Sequence, residues 1–182
     1  LHTYGSHFDY TKRYPHDFAK FTPDRLTSVS KENREMLRNS YDNSVYYTDY
    51  VLDQIIRLLD STKACTALYY CSDHGEDLMD DRRERFLHAS PTPTYYQLHV
   101  AALAWFSDRY RSEFPGKYET ALENSSRPAT TACIFHCIAD LASIQSPYVE
   151  STCAFTSPDF HPITRRMYLT DHNTPVEFYN SG

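Results

Sequence analysis

One segment indicates the fold class: Thr66-Ala67-Leu68-Tyr69-Tyr70-Cys71-Ser72-Asp73-His74-Gly75-Glu76. Its first six residues are mostly apolar and aromatic, as in a buried strand, and the polar residues after them are typical of a loop. From Lys31 to about Leu59, apolar side chains recur at three- and four-residue spacing, which predicts a long helix with Ser30 as its N-cap. This order of helix, strand and polar loop predicts an α/β domain with a mostly parallel sheet flanked by helices.

The same periodicities predict further elements: a buried strand at 100–106, a polar helix opened by Ser107, an apolar helix at 131–144 and a short strand at 166–170. Residues 1–30 have little periodicity and are expected to form a long loop. We expect residues 1–182 to form a single domain, because a chain of this length supports one substantial core. Leu1-His2-Thr3-Tyr4-Gly5 reads as the end of a strand, so we expect a partial domain whose earlier strands lie upstream.

Charge and cysteine content narrow the possible functions. The net charge is −6 and the basic residues are dispersed, so we expect no nucleic-acid partner. No apolar run reaches the roughly 18–20 residues that a membrane-spanning helix needs. The five cysteines lack the spacing of a zinc ribbon, and Cys133 and Cys137, four residues apart on a predicted helix, are poorly placed to pair with each other.

Asp73 and His74 are the first candidate site residues. A carboxylate and an imidazole on successive residues can bind one metal ion where the chain leaves regular structure, and Gly75 directly after them permits this. Zinc accepts both ligand types, and a catalytic zinc keeps one position open. The alternative is that Asp73 caps the next turn and that His74 has no role.

Histidines elsewhere could join this site. His2, Ser6 and His7 follow a second predicted strand end, and His88 returns after a charged loop. Each histidine could equally be an ordinary surface residue. Arg13 could clamp an oxyanion or simply precede a turn.

Taken together, several motifs in fixed order resemble one family, the periplasmic sulfatase-like domain of lipid A phosphoethanolamine transferases in the alkaline phosphatase superfamily. The resemblance covers residues 1 to about 145. It depends on these segments: His2-Thr3-Tyr4-Gly5-Ser6-His7, Arg13-Tyr14-Pro15, Phe21-Thr22-Pro23, Tyr41-Asp42-Asn43-Ser44, Tyr50-Val51-Leu52-Asp53, Ser72-Asp73-His74-Gly75-Glu76 and Leu87-His88.

The resemblance implies a site and a reaction. Asp73 and His74 match zinc ligands of the family, and His7 and His88 match histidines that contact the phosphoryl group or a second zinc. A threonine nucleophile would take phosphoethanolamine from a phospholipid donor, form a covalent intermediate and pass the group to lipid A or a related glycan. The resemblance also implies the C-terminal part of an alkaline-phosphatase-like sandwich, with one or two Zn²⁺ ions.

The family pattern places the threonine and a glutamate ligand upstream of Leu1. The zinc site is therefore expected to be incomplete in residues 1–182, and this piece alone is expected to be inactive. The resemblance further implies attachment to the Gram-negative inner membrane through N-terminal helices absent from this sequence, with the catalytic domain in the periplasm.

Two loops depart from the family pattern. Phe8-Asp9-Tyr10 replaces a segment that usually contains proline, and the loop from Asp77 to Arg85 is longer than usual and lacks glycine. Both loops border the expected substrate cleft, so the acceptor stays open, and so does the role of His88.

Two other functions remain open. A sulfatase or phosphodiesterase of the same superfamily would transfer the group to water. A domain with a degraded site would serve only for binding, which the presence of Asp73, His74, His7 and His88 argues against.

Overall fold

The computed structural model describes residues 1–88, 91–170 and 172–179. The chain divides into two units. The first contains Leu1–Leu58 and Gly75–Gln97, and the second contains Leu59–His74 and Leu98–Gly182. The expectation of a single domain stays a prediction.

The longest element is helix α1, Arg34–Ser61, which follows a 3-10 turn at Lys31–Asn33 and confirms the predicted long helix. Ser30 lies at the N-cap, although its side chain makes no capping hydrogen bond. The recurring apolar residues that predicted this helix are not all buried: Val45, one of them, is exposed, whereas the helix buries Leu37, Ser40, Asn43 and Ser44. Small polar residues can be buried here because their hydroxyls bond to carbonyls of the same helix, as Ser40 Oγ does to Leu37 O at 2.8 Å.

In the first unit, the loop before α1 is ordered and contains 3-10 turns at Tyr10–Lys12 and His16–Phe18. Strands β1, Asp77–Leu78, and β2, Phe86–Leu87, form an antiparallel hairpin. The core of this unit contains four buried side chains: Tyr10, Leu37, Leu78 and Met79.

The second unit contains the strand predicted before the Asp73-His74 loop. This strand spans Ala67–Cys71 and pairs antiparallel with β3, Ala102–Phe106. The pairing places Ala67 opposite Phe106 and Cys71 opposite Ala102. Both strands were predicted from their apolar runs, but the predicted burial of 100–106 is wrong in part, because Ala102, Leu103 and Ala104 are exposed and only Phe106 is buried. The mostly parallel sheet is not found among the described residues, where three two-stranded antiparallel sheets occur. Parallel neighbours usually require a helical crossover, and the helix between these two strands, α2, spans only Tyr95–Leu98.

Three further helices complete the second unit: α3 (Asp108–Glu113), α4 (Pro115–Asn124) and α5 (Ile134–Leu141). Ser107 caps α3 by accepting a hydrogen bond from the Tyr110 amide. Helix α4 was not predicted, because Pro115 reads as a helix end; proline is equally suited to the first turn of a helix, where no amide donor is needed. A hairpin of β4 (Met167–Leu169) and β5 (Pro175–Glu177) follows, and β4 lies within the strand predicted at 166–170.

Packing in the second unit joins these helices to the strand pair. Its core contains Phe106, Tyr110, Ala121 and Leu141, and the Tyr110 hydroxyl donates to Leu141 O at 2.8 Å. Of the helices in the described residues, none combines the length and the apolar character needed to cross a bilayer.

Candidate functional site

Asp73 and His74 lie in the loop that follows the strand Ala67–Cys71. The Ser72 amide donates to Ala101 O at 3.0 Å, and the Ser72 hydroxyl donates to His74 O at 2.8 Å, so the start of the loop is held by hydrogen bonds. Asp73 Oδ1 accepts from the His74 amide at 3.0 Å and lies 4.0 Å from His74 Nε2. The hydrogen bond from the His74 amide is the capping role of Asp73 that was considered from the sequence. Asp73 makes this hydrogen bond while its carboxylate also lies near the His74 imidazole.

This pair fits a zinc ion. Two ligand atoms of one tetrahedral zinc, each about 2 Å from the ion, lie about 3.3 Å apart. Asp73 Oδ1 and His74 Nε2 are 4.0 Å apart, so a small rotation of the exposed Asp73 side chain would bring both atoms to one ion. Asp73 is exposed and His74 is partly exposed, with 81% and 34% of the side-chain surface accessible. An oxygen and a nitrogen donor are therefore both within reach of an ion.

Gly75 is required by the packing of its own unit. Its amide donates to Gln97 O at 2.8 Å, and a Cβ at this position would lie 2.0 Å from Tyr96 O. Only a residue without a side chain allows this backbone contact. The chain passes from the second unit to the first between His74 and Gly75.

The buried Glu76 pairs with the partly exposed His88 in the first unit. Glu76 Oε1 lies 2.9 Å from His88 Nδ1, and only 4% of the Glu76 side chain is accessible. The hairpin explains the pair: its register places Asp77 opposite Leu87, so one residue further out Glu76 comes opposite His88. Burial, and then the neighbouring Glu76 carboxylate, raises the pKa of Tyr10 far above its ordinary value.

The Glu76 contact determines which nitrogen of His88 carries the proton. With Nδ1–H directed at the carboxylate, a neutral ring has its lone pair on Nε2, the atom through which imidazole commonly binds a metal or accepts a proton. Sequence reasoning gave Glu76 no role. The hairpin that pairs Glu76 with His88 could have been predicted from two apolar pairs, Leu78-Met79 and Phe86-Leu87. They flank a charged segment as the two strands of a hairpin flank its turn.

His7 lies beside His88. The two ring centroids are 6.3 Å apart, with the rings inclined at 71°. His7 Nδ1 is 2.6 Å from Phe8 O, so Nδ1 carries a proton that it donates to this carbonyl. His7 is exposed, as is His2 at the start of the chain. The structure thus brings together the two histidines that were predicted to contact substrate.

Arg13 holds the loop that carries His7. Its Nε donates to His7 O at 2.7 Å and its terminal nitrogen donates to Phe8 O at 3.1 Å. The guanidinium also lies 4.6 Å from the centre of the Tyr4 ring. In this structure Arg13 therefore stabilises the His7 loop, which differs from the oxyanion clamp considered from the sequence.

Asp77, the residue after Glu76, is held in place by hydrogen bonds within the first unit. This carboxylate is buried and accepts hydrogen bonds from Thr94 Oγ1 and Gln97 Nε2, both at 2.5 Å. Asp80 pairs with Arg38 of α1 at 2.7 Å. The charged loop that departs from the family pattern is thus fixed to its own unit.

Comparisons with known proteins bear on these residues. The sulfatase family model matches residues 1–144. Phosphoethanolamine transferase EptA of Salmonella typhimurium is 34% identical over 165 residues, which cover 87% of this chain and 30% of that protein. Kdo(2)-lipid A phosphoethanolamine 7''-transferase of Escherichia coli is 39% identical over 112 residues, covering 60% of this chain and 19% of the relative. The chain therefore spans less than a third of the length of these relatives.

Solved structures give the same result. The C-terminal periplasmic domain of EptC from Campylobacter jejuni has a TM-score of 0.80 and 33% identity, covering 90% of this chain and 52% of that one. The zinc complex of the corresponding Escherichia coli domain also has a TM-score of 0.80, with 25% identity, covering 95% of this chain and 49% of that one.

These matches confirm the predicted class of an α/β, sulfatase-like domain, although not its mostly parallel sheet. A carboxylate and an imidazole, the side-chain groups of Asp73 and His74, are ligand types that zinc accepts. The chain belongs to the sulfatase family and is similar to the phosphoethanolamine transferases EptA and EptC.

Proposed function

We propose that this chain is part of the catalytic domain of a zinc-dependent phosphoethanolamine transferase. The enzyme takes phosphoethanolamine from a phospholipid and passes it to lipid A or a related envelope glycan through a covalent enzyme intermediate. The names of the relatives support the reaction. The periplasmic domains among the structural matches, and the Neisseria meningitidis match described as an integral membrane protein, support a periplasmic domain attached to the inner membrane.

Asp73 and His74 would hold the zinc ion, and the 4.0 Å between their ligand atoms is the observation that carries this proposal. Bound zinc would lower the pKa of a hydroxyl nucleophile and stabilise negative charge on the phosphoryl oxygens. One or two ions would be bound, and the remaining ligands and the threonine nucleophile would lie outside residues 1–182. His7 and His88 would contact the transferring phosphoryl group, with Glu76 and Arg13 holding them in place.

Mass spectrometry of lipid A tests the transferase function in cells that lack other phosphoethanolamine transferases. The complete gene product is expected to add one phosphoethanolamine group, and Asp73→Asn is expected to reduce the modification by at least about 100-fold, because a metal ligand is lost. The exposed Asp108 provides the matched control Asp108→Asn, which should retain activity. Unchanged modification by Asp73→Asn would instead support a domain that only binds.

The match to the sulfatase family model favours hydrolysis as the second candidate. A sulfatase or phosphodiesterase would use water as the acceptor and would release nitrophenol from a nitrophenyl sulfate or phosphate ester. Rapid turnover of either ester, without any transfer to lipid, would identify a hydrolase. Transfer to lipid with slow ester turnover would identify the transferase.

A further inference from the structure

Tyr10 is a fully buried side chain of the first unit, and the proposed function does not use it. None of its surface is accessible. It lies three residues after His7, in the loop that carries this histidine, and it belongs to the same core cluster as Leu78 of β1. The ring centroid of Phe8 lies 5.4 Å from that of Tyr10 and 5.2 Å from that of Phe86 in β2. Tyr10 therefore helps to join the His7 loop to the hairpin.

The pairing of the hairpin determines which of its side chains lie next to Tyr10. Glu76 and Leu78 are two residues apart, so they point to the same face, because successive side chains of a strand alternate. Their partners across the hairpin, His88 and Phe86, share this face. Since Tyr10 packs in the same cluster as Leu78, its ring covers the face that also carries Glu76 and His88.

Two buried polar atoms at this contact are complementary. Glu76 Oε1 faces His88 Nδ1, whereas the second carboxylate oxygen, Oε2, is buried and has no hydrogen-bond partner among the described residues. The Tyr10 hydroxyl is also buried without a partner in the described part of the chain. Folded proteins pair nearly all such atoms, and here one atom donates whereas the other accepts. The Glu76 carboxylate also acts on Tyr10, because it is the largest cause, after burial, of the raised pKa of this hydroxyl.

A role in packing alone is the competing explanation. Tyr10 packs edge-to-face against Tyr41, with ring centroids 5.1 Å apart, and a phenylalanine would make the same ring contacts. A phenylalanine would also bury no hydroxyl group. Because the hydroxyl of a buried tyrosine usually has a hydrogen-bond partner, packing does not account for a tyrosine at this position, whereas a carboxylate acceptor does.

We propose that Tyr10 is a positioning residue, whose hydroxyl donates a hydrogen bond to Glu76 Oε2 and so fixes the carboxylate that orients His88. The proposal rests on the proposed function, in which His88 contacts the phosphoryl group. With Oε2 held by Tyr10, Oε1 stays directed at His88 Nδ1, and Nε2 lies on the far side of the ring. The same hydrogen bond fixes the His7 loop to the hairpin, which maintains the 6.3 Å between the ring centroids of His7 and His88.

A double-mutant cycle in the complete enzyme tests this role. Tyr10→Phe keeps the ring and removes only the hydroxyl. It should lower kcat by about 3- to 10-fold and change KM by less than about twofold, because Tyr10 is one contact further from the substrate than Glu76 is. In a Glu76→Ala background, the same substitution should cause no further loss of kcat. The exposed Tyr50 provides the matched control Tyr50→Phe, which should retain full activity.

Thermal unfolding of the same variants measures the hydrogen bond without any reaction. Tyr10→Phe should lower the melting temperature of the wild-type enzyme, because a hydrogen bond to a charged group is lost. In the Glu76→Ala background it should leave the melting temperature unchanged or raise it, because the hydroxyl there has no acceptor. Equal losses in both backgrounds would overturn the proposed hydrogen bond.

The two measurements separate this proposal from the proposed function. A wild-type enzyme that transfers no phosphoethanolamine would contradict the proposed function, whereas the melting temperatures would still decide whether Tyr10 holds Glu76. In an active enzyme, the positioning role is overturned if Tyr10→Phe leaves kcat unchanged. It is also overturned if Tyr10→Phe lowers kcat by the same factor with and without Glu76.

Discussion

Glu76 Oε1 lies 2.9 Å from His88 Nδ1, and the glutamate is almost entirely buried whereas a third of the histidine side chain is accessible. One partner is fixed inside the unit and the other reaches solvent. This is the arrangement by which a buried carboxylate orients an imidazole for a ligand.

Replacing Glu76 should therefore impair the reaction. We expect Glu76→Ala in the complete enzyme to lower kcat/KM by about 10- to 100-fold, because His88 loses the group that orients it. Glu76→Gln retains an acceptor oxygen for Nδ1 and should lose less. Steady-state kinetics with a phospholipid donor measure the effect, and the exposed Glu35→Ala serves as control. If Glu76→Ala only lowered stability and left kcat/KM unchanged, Glu76 would be a structural residue.

Gly75 and Gly116 should respond oppositely to substitution by alanine. Gly75→Ala places a Cβ against Tyr96 O and is expected to lower the free energy of unfolding by about 3 kcal/mol or more. A Cβ at Gly116, in the first turn of α4, meets no atom within 4 Å, so Gly116→Ala should be neutral or stabilise by up to about 1 kcal/mol. Urea denaturation of both variants measures the difference. Equal effects would mean that the close approach at Gly75 does not exist in solution.

Asp77 should be among the most sensitive residues of the first unit. Asp77→Ala leaves the buried Thr94 hydroxyl and Gln97 amide without their acceptor, at a cost of about 3 kcal/mol in unfolding free energy. Asp77→Asn keeps one acceptor oxygen and should cost less. The exposed Asp49→Ala should change stability by less than about 0.5 kcal/mol. A loss at Asp77 as small as that at Asp49 would contradict the buried network.

Tyr14 should make stability depend on pH in the alkaline range. Its hydroxyl donates to Asp24 Oδ2 at 2.7 Å, and burial, followed by this hydrogen bond, raises its pKa from 10.0 to about 12. A raised pKa contributes stability that is fully present below pH 10 and is lost as the pH rises towards 12. Tyr14→Phe should be less stable than wild type by about 1 kcal/mol at neutral pH.

The difference between Tyr14→Phe and wild type should shrink as the pH rises from about 10 to about 12. Urea denaturation at several pH values measures it. Effects of alkali on the rest of the protein cancel, because both proteins share them. A constant difference would show that the pKa of Tyr14 is the same in the folded and the unfolded chain.

The sequence predicted individual elements better than their pairing. The apolar runs before Ser72 and Ser107 identify two strands from their residue types, although the first strand is only partly buried and most of the second is exposed. Their antiparallel pairing was missed, since strand direction depends on the path of the chain between them and both directions suit the same residues. The hairpin that pairs Glu76 with His88 was missed because two-residue strands have almost no periodicity.

For the candidate site as well, the residues could be predicted from the sequence, whereas some of their contacts could not. Asp73, His74, His7 and His88 were proposed from motif resemblance, and the contact between His7 and His88 is consistent with that choice. The role of Arg13 in holding backbone carbonyls could not be predicted, because a guanidinium fits a carbonyl as well as a phosphate.

The contact at Gly75 also has a consequence for how this region can change during evolution. Tyr96 contributes only its backbone carbonyl group to the contact, while its own side chain is exposed. Position 96 should therefore accept many amino acids in a saturation library, whereas position 75 should accept glycine alone. Substitutions can therefore accumulate at position 96 during evolution, whereas the glycine at position 75 cannot be replaced.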